Sequence, residues 1–330
     1  MKKILAQITL ISCTLLNGVV FADTLEQAKL LFNQKEYQQA YDLFSELSDQ
    51  GDANSTFWLG VTQYKMGQRF EAGDTMLQAA NMGDPWAMGV LGGGVLYLSP
   101  PCEYMGWACD DAWQDKAIKI WELQSKQGNG KATYARDLSK RDWWEYIPFY
   151  SRKLYQQQAE TGVAQGGYRY FNYSLYWEST EKKIEALNSA ANKSYAPAMI
   201  DLYYILNEVD REKSEQWANS AIELGYAKGA RALYLAHYLG NRGYEFDAKK
   251  AYYYNRLTGF LGGEEDKDYE ITHQLMVDER GQIVKDADGQ IMFDVLITEQ
   301  EQAELNRQVE EFAKDIKPNM FLDETSKELF

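Results

Sequence analysis

Residue types that carry chemistry are sparse in this chain. Of its 330 residues only two are histidines, His237 and His273, and they fall in different segments, so a His-rich metal site is not available. His237 lies inside a helical pattern and reads as a packed or surface imidazole rather than a base. There is no Gly-x-Ser-x-Gly elbow, no Gly-x-x-x-x-Gly-Lys-Ser/Thr loop and no His-Glu-x-x-His run. Carboxylates abound, and pairs such as Glu264/Glu265 have the groups for acid–base work, but with 49 Asp and Glu in the chain such a pair is no signal without geometry. Asp286-Ala-Asp288-Gly289 is similar to the start of a calcium loop, yet Val284 and Val295 stand where that loop needs oxygen ligands. Neither catalysis nor a cofactor nor a metal is expected.

Aromatic rings are the one concentrated chemistry. Trp143 to Trp177 holds a dense run of them, and in its last ten residues rings at 168, 170, 171, 173, 176 and 177 would surround most of a helix instead of forming one stripe. Tyr168, Tyr170, Tyr173 and Trp177 are therefore candidate anchors for a binding partner, since such rings give large rigid contact with a polar tip. Tyr203 and Tyr204 follow. Tyr234 and Tyr238 share a helix face with Arg231, at the i, i+3 and i+4 spacing that brings side chains together. The competing reading is packing, because helices stacked on both sides bury two faces and tolerate rings all round.

The elements that must position these rings recur with a period. Leu47-Ser-Asp-Gln-Gly51, Ala79-Ala-Asn-Met-Gly83, Gln127-Gly128, Thr161-Gly162, Ala190-Ala-Asn-Lys-Ser194 and Ala221-Ile-Glu-Leu-Gly225 each close one helical pattern and open another. Successive spacings are 32, 45, 34, 32 and 31 residues. Gly in these turns suits the left-handed position that ends a helix; Ser194 lacks that freedom. Small residues at helical spacing (Ala227, Ala230, Ala236, Ala248, Ala251) allow close helix approach, and a lone hairpin of this kind needs neighbours on both sides. The register extends a helix from Trp86 to Leu98, although Gly89, Gly92, Gly93 and Gly94 each weaken it by about 1 kcal/mol relative to Ala.

The Ala-Ala-x-x-Gly-x-x-x-Ala junctions, the Gly240/Gly243 run and Asp247-x-x-Lys250-Ala251-x-x-Tyr254 resemble the Sel1-like repeats of the tetratricopeptide-repeat superfamily over roughly residues 24–262. That resemblance implies a mainly α fold, an α-α solenoid of helical hairpins, and an adaptor or scaffold function. Some members are thought to act as immunity-type inhibitors of periplasmic toxins.

Residues 1–22 read as a secretory signal: Lys2 and Lys3, an apolar run, then Val20-Phe21-Ala22 at the cleavage site. Lipidation at Cys13 is disfavoured, because cutting there leaves Leu15-Leu16 and Val19-Val20-Phe21 exposed. A periplasmic or secreted chain without membrane insertion is the expectation. Without residues 1–22, 32 basic and 49 acidic residues remain, a net charge of −17. That argues against nucleic acid and anionic membranes and is compatible with a basic protein or peptide partner. Cys102 and Cys109, close together in an exported chain, are expected to form one local disulfide. Two Cys do not satisfy zinc, and the redox spacing Cys-x-x-Cys is absent. Related cysteine-rich Sel1-like proteins staple the two helices of a repeat in this way, which supports a structural bridge.

The helical pattern ends near Gly262-Gly263. Beyond a charged linker, Leu275–Val277, Gln282–Val284 and Ile291–Ile297 read as three short strands with turns at Arg280-Gly281 and Asp288-Gly289. Thr298 with Glu301 forms a capping box for a last helix running to about Ile316, and the tail past Pro318 has no pattern to hold it. The organisation expected is a signal at 1–22, a repeat solenoid at 23–263, and an extension at 264–330 of β-meander, capping helix and loose tail. Function follows as non-catalytic protein–protein interaction in the bacterial envelope. Toxin inhibition, and cell-wall-fragment binding or hydrolysis, are the alternatives.

Overall fold

In the computed structural model, residues 23–93, 96–97, 99–106, 108–140 and 179–330 are described. The chain divides into two compact units, one made of residues 1–174 with 322–330, the other of residues 175–321. The extension contributes residues 264–321 to the second unit and its last nine to the first.

The first unit is a run of antiparallel helices: α1 (residues 23–33), α2 (Tyr37–Asp49), α3 (Ala53–Lys65), α4 (Arg69–Asn81), α5 (Pro85–Leu91), α6 (Asp111–Lys126) and α7 (Gly130–Ser139). Its junctions form as the spacing requires. Gly51, Gly83 and Gly128 take φ of 91°, 102° and 89°. In each turn the glycine N–H and the next one bond back to the preceding helix, as in Asp52 N to Leu47 O. The following residue at once caps the next helix. Asp52 accepts from Ser55 N at 2.6 Å, Asp84 from Ala87 N at 2.8 Å and Asn129 from Ala132 N at 3.0 Å. Buried Phe32, Phe44, Phe57, Trp58, Met76, Trp86, Trp121 and Tyr134 fill the core between the helices.

One helix is shorter than its register. α5 stops at Leu91, not Leu98, because the backbone of α6 crosses there: a Cβ on Gly92 would lie 2.5 Å from Gln114 N. A short 3₁₀ turn (Pro101–Tyr104) follows, and the Cys102–Cys109 disulfide closes it onto the residue before the cap of α6.

The second unit holds α8 (Thr180–Ala191), α9 (Ala196–Leu206), α10 (Arg211–Glu223), α11 (Ala227–Leu239), α12 (Ala248–Phe260), α13 (Asp268–Thr272) and α14 (Glu299–Ala313). Its turns are left-handed too: φ is 83° at Gly225, and even Ser194 takes 61°. The junction at Gly162 lies outside the described residues. The expected three-strand meander is reduced to one antiparallel pair, β1 (His273–Leu275) on β2 (Phe293–Val295), with single bridges Val277–Ile283 and Lys285–Ile291. The middle segment, 282–284, makes too few consecutive bonds to count as a strand. Thr298 and Glu301 form the expected capping box, and α14 ends at Ala313, short of Ile316.

The tail is not loose. Thr325, Ser326 and Leu329 are completely buried and Glu324 nearly so, within the core of the first unit. No local periodicity marks it because its partners lie far away in sequence.

Candidate functional site

The site is built where α1, α3, α7 and the segment after α5 receive residues 322–330. These elements alternate with α2, α4 and α6 along the chain, so the tail meets one layer of the repeat. Its anchor is Glu324. One carboxylate oxygen accepts from Trp58 Nε1 at 2.8 Å and lies 3.1 Å from Lys29 Nζ; the other lies 2.5 Å from Lys131 Nζ. Lys131 also pairs with Asp323 at 3.2 Å. A carboxylate this buried would ordinarily be pushed toward its neutral form, and burial does act that way. Lys131, then Lys29, outweigh it and hold Glu324 well below the usual carboxylate range.

Asn33 reads backbone instead of side chain. Its Nδ2 donates to Leu322 O at 2.9 Å and its Oδ1 accepts from Leu322 N at 2.5 Å. Lys65 Nζ donates to Glu328 O at 3.3 Å. At the far end Phe330 sits edge-on between Tyr64 and Tyr97, with ring centroids 5.4 and 4.8 Å away. The tail is also folded on itself: Asp323 Oδ1 accepts from Thr325 N and Thr325 Oγ1 at 2.8 and 2.6 Å. Beside the anchor stands a second buried carboxylate, Asp84. Burial, opposed by its bonds to Ala87 N and Asn54 and reinforced by the nearby Glu324 charge, pushes it up to about 7.

The residues singled out from the sequence fare otherwise. Tyr168, Tyr170, Tyr173 and Trp177 lie outside the described residues. Arg231, Tyr234 and Tyr238 are tied to the segment after α12. The Arg231 guanidinium meets the Asp266 carboxylate at 3.1 Å, Tyr234 Oη donates to the same carboxylate at 2.6 Å, and Tyr238 Oη reaches Glu270 O at 3.5 Å. Asn255 fixes Asp266 through both backbone groups, at 2.9 and 2.8 Å. The Tyr234 bond, followed by Arg231, keeps the Asp266 carboxyl below its ordinary range against a desolvation that works the other way. Tyr234 is buried, whereas Arg231 and Tyr238 stay partly exposed beside the loop after α12. Tyr203 is buried; Tyr204 is exposed, with the Arg242 guanidinium 4.8 Å over its ring. Tyr203, Tyr204 and Arg242 line a shallow cleft of about 230 Å³. His237 is packed between Tyr244 and Tyr254, and burial lowers its pKa.

Among the described residues no group of three or more His, Cys, Asp or Glu is placed to hold a metal ion, and no helix is long and apolar enough to cross a membrane.

Similarity to solved structures is found at low identity. The chain is similar to a Sel1 repeat protein from Oxalobacter formigenes, at 20% identity and a TM-score of 0.44, over 72% of this chain and 99% of that one. It is also similar to c5321, a protective antigen of uropathogenic Escherichia coli strains displaying an SLR fold, at 16% identity and a TM-score of 0.45, over 86% of this chain and 60% of that one. No family model matches the sequence, and no curated protein is similar to it.

Lys29, Asn33, Trp58, Lys131 and Glu324 escaped the sequence reading. Two faint signals exist. Lys29 and Asn33, four apart, flank the apolar stripe of Ala28, Leu31 and Phe32, and Lys131 puts a cation in the first turn of a helix, where the helix dipole disfavours it.

Proposed function

We propose that the protein is an exported, non-catalytic repeat scaffold that holds a segment of another protein in the bacterial envelope. The observation that carries this reading is the groove on α1, α3 and α7. It already holds a non-helical peptide segment through a desolvated carboxylate, backbone bonds and an aromatic pocket. A helical surface that grips an irregular segment in this way offers what recognition of a partner's segment needs: a fixed anchor, sequence-independent backbone contacts and a ring pocket. The signal-like residues 1–22 and the Cys102–Cys109 bridge support an oxidising, extracytoplasmic setting with cleavage near Ala22.

Two measurements test it. The chain recovered from the envelope fraction has the mass expected of a start at Asp23. Chemical cross-linking in living cells, followed by mass spectrometry, joins Lys29, Lys65 or Lys131 to a second protein at a defined peptide. One stoichiometric partner marks an inhibitor and several weaker ones an adaptor. An uncleaved cytoplasmic chain, or cross-links only within the chain, overturns the reading.

A further inference from the structure

The groove on α1, α3 and α7 has a specificity of its own, which rests on the reading that this surface holds a partner's segment. We propose that the groove recognises an acidic segment of a partner protein, with a glutamate anchor and a Leu-Phe pair five and six residues beyond it, and that residues 322–330 are a built-in competitor for that segment.

Charge is the first support. Lys29 and Lys131 come from separate helices and converge on one carboxylate, with side chains only 18% and 39% exposed. Trp58 Nε1, on a buried ring, points at the same spot. Three donors aimed at one point and largely shielded from water form an anion site whichever peptide supplies the anion. The chain as a whole carries −15, so this cationic spot is a local exception to the overall charge. The whole-chain charge alone points to a basic partner; the groove points the other way.

Division of labour is the second. Asn33 and Lys65 bond only to backbone, at Leu322 and Glu328, and impose no side-chain requirement. Selection falls on Glu324, on fully buried Leu329 and on Phe330 in its Tyr64/Tyr97 pocket.

Exchangeability is the third. The resident has no regular secondary structure, and its Asp323–Thr325–Ser326 turn is self-contained, so it leaves and returns without breaking a helix or sheet.

The test uses the full chain. A fluorescein-labelled peptide of sequence Leu-Asp-Glu-Thr-Ser-Lys-Glu-Leu-Phe is titrated against unaltered and Glu324→Gln protein, followed by anisotropy. The weakened resident of the variant yields to the peptide, so the variant binds at least tenfold more tightly than the unaltered chain. A peptide with Gln at its Glu324 position, or Lys131→Met in the variant chain, removes that gain by tenfold or more. No binding to a Glu324→Gln chain that keeps its helical circular dichroism overturns the proposal. Should that variant fail to fold, hydrogen exchange on the unaltered chain decides: amides of 322–330 exchange while α3 stays protected, whereas exchange only together with α3 overturns it. A dimer by light scattering whose formation depends on Glu324 assigns the occupant to a second copy and overturns the partner-peptide version. Loss of peptide binding alongside intact cross-links to an envelope protein sinks this inference alone. Absence of any such cross-link sinks the broader reading.

Discussion

Glu324 and Asp84 are both buried in the first unit, and their pKa values shift in opposite directions. Glu324 has two lysines and an indole N–H to hold its charge; Asp84 has a helix cap and one amide. For Asp84 the folded chain keeps its proton up to about 7, while the unfolded carboxyl loses it near its ordinary 3.8. Between those values the unfolded state binds fewer protons, so stability falls as pH rises through that window. Asparagine caps a helix about as well as aspartate and has no charge to desolvate. Asp84→Asn is therefore expected to raise the melting temperature at pH 8, with a gain that shrinks toward pH 4. Equal melting temperatures at both pH values would count against the raised pKa. None of this was legible from the sequence. Asp84 announced itself only as the residue after Gly83, and Glu324 as one of 49 carboxylates. The fate of Glu324 is set by partners far away in sequence, such as Lys131 at a separation of 193, and that of Asp84 by burial that no local pattern marks.

Turns show where local pattern suffices and where it does not. Gly51, Gly83, Gly128 and Gly225 were legible because a left-handed helix end is a local requirement, met by one residue type at low cost. Their surroundings were not. Gly51 has open space around its missing Cβ, whereas a Cβ on Gly225 would lie 1.9 Å from Lys317 O, where the chain runs past with Asn319 N bonded to Gly225 O. Gly51→Ala is expected to cost about 1–2 kcal/mol, the strain of a left-handed alanine. Gly225→Ala costs clearly more and frees residues 317–319, seen as faster hydrogen exchange there; equal costs in urea titrations would contradict the close approach. The same blindness explains α5, which the register carried to Leu98 but which α6 stops at Gly92. The disulfide was legible from spacing and setting, and its loop is small. Cys102→Ser/Cys109→Ser is expected to cost roughly 2–3 kcal/mol in urea denaturation, as for short closed loops. A cost near zero would mean the 3₁₀ turn is held by its burial alone.

At the scale of the whole chain, sequence distance and function are linked through the tail. A repeat of helices makes mostly local contacts, and the periodic part of this chain was readable for that reason. The tail breaks that economy by joining the chain's last residues to its first described helix, through Asn33 and Leu322. Its hold on the first unit depends on pH through Glu324. A released Glu324 titrates near its ordinary 4.5, whereas the docked one is held below it, so docking is at full strength above about 4.5 and weakens as pH falls. Hydrogen exchange of the 322–330 amides, corrected for intrinsic rates and followed from pH 3 to 8, is expected to show protection that is full above about 4.5 and declines as the pH falls below it. Glu324→Gln flattens that decline. Protection that does not decline on acidification, or a decline unmoved by Glu324→Gln, would mean that the tail is held by Leu329 and Phe330 and that the buried charge is a bystander.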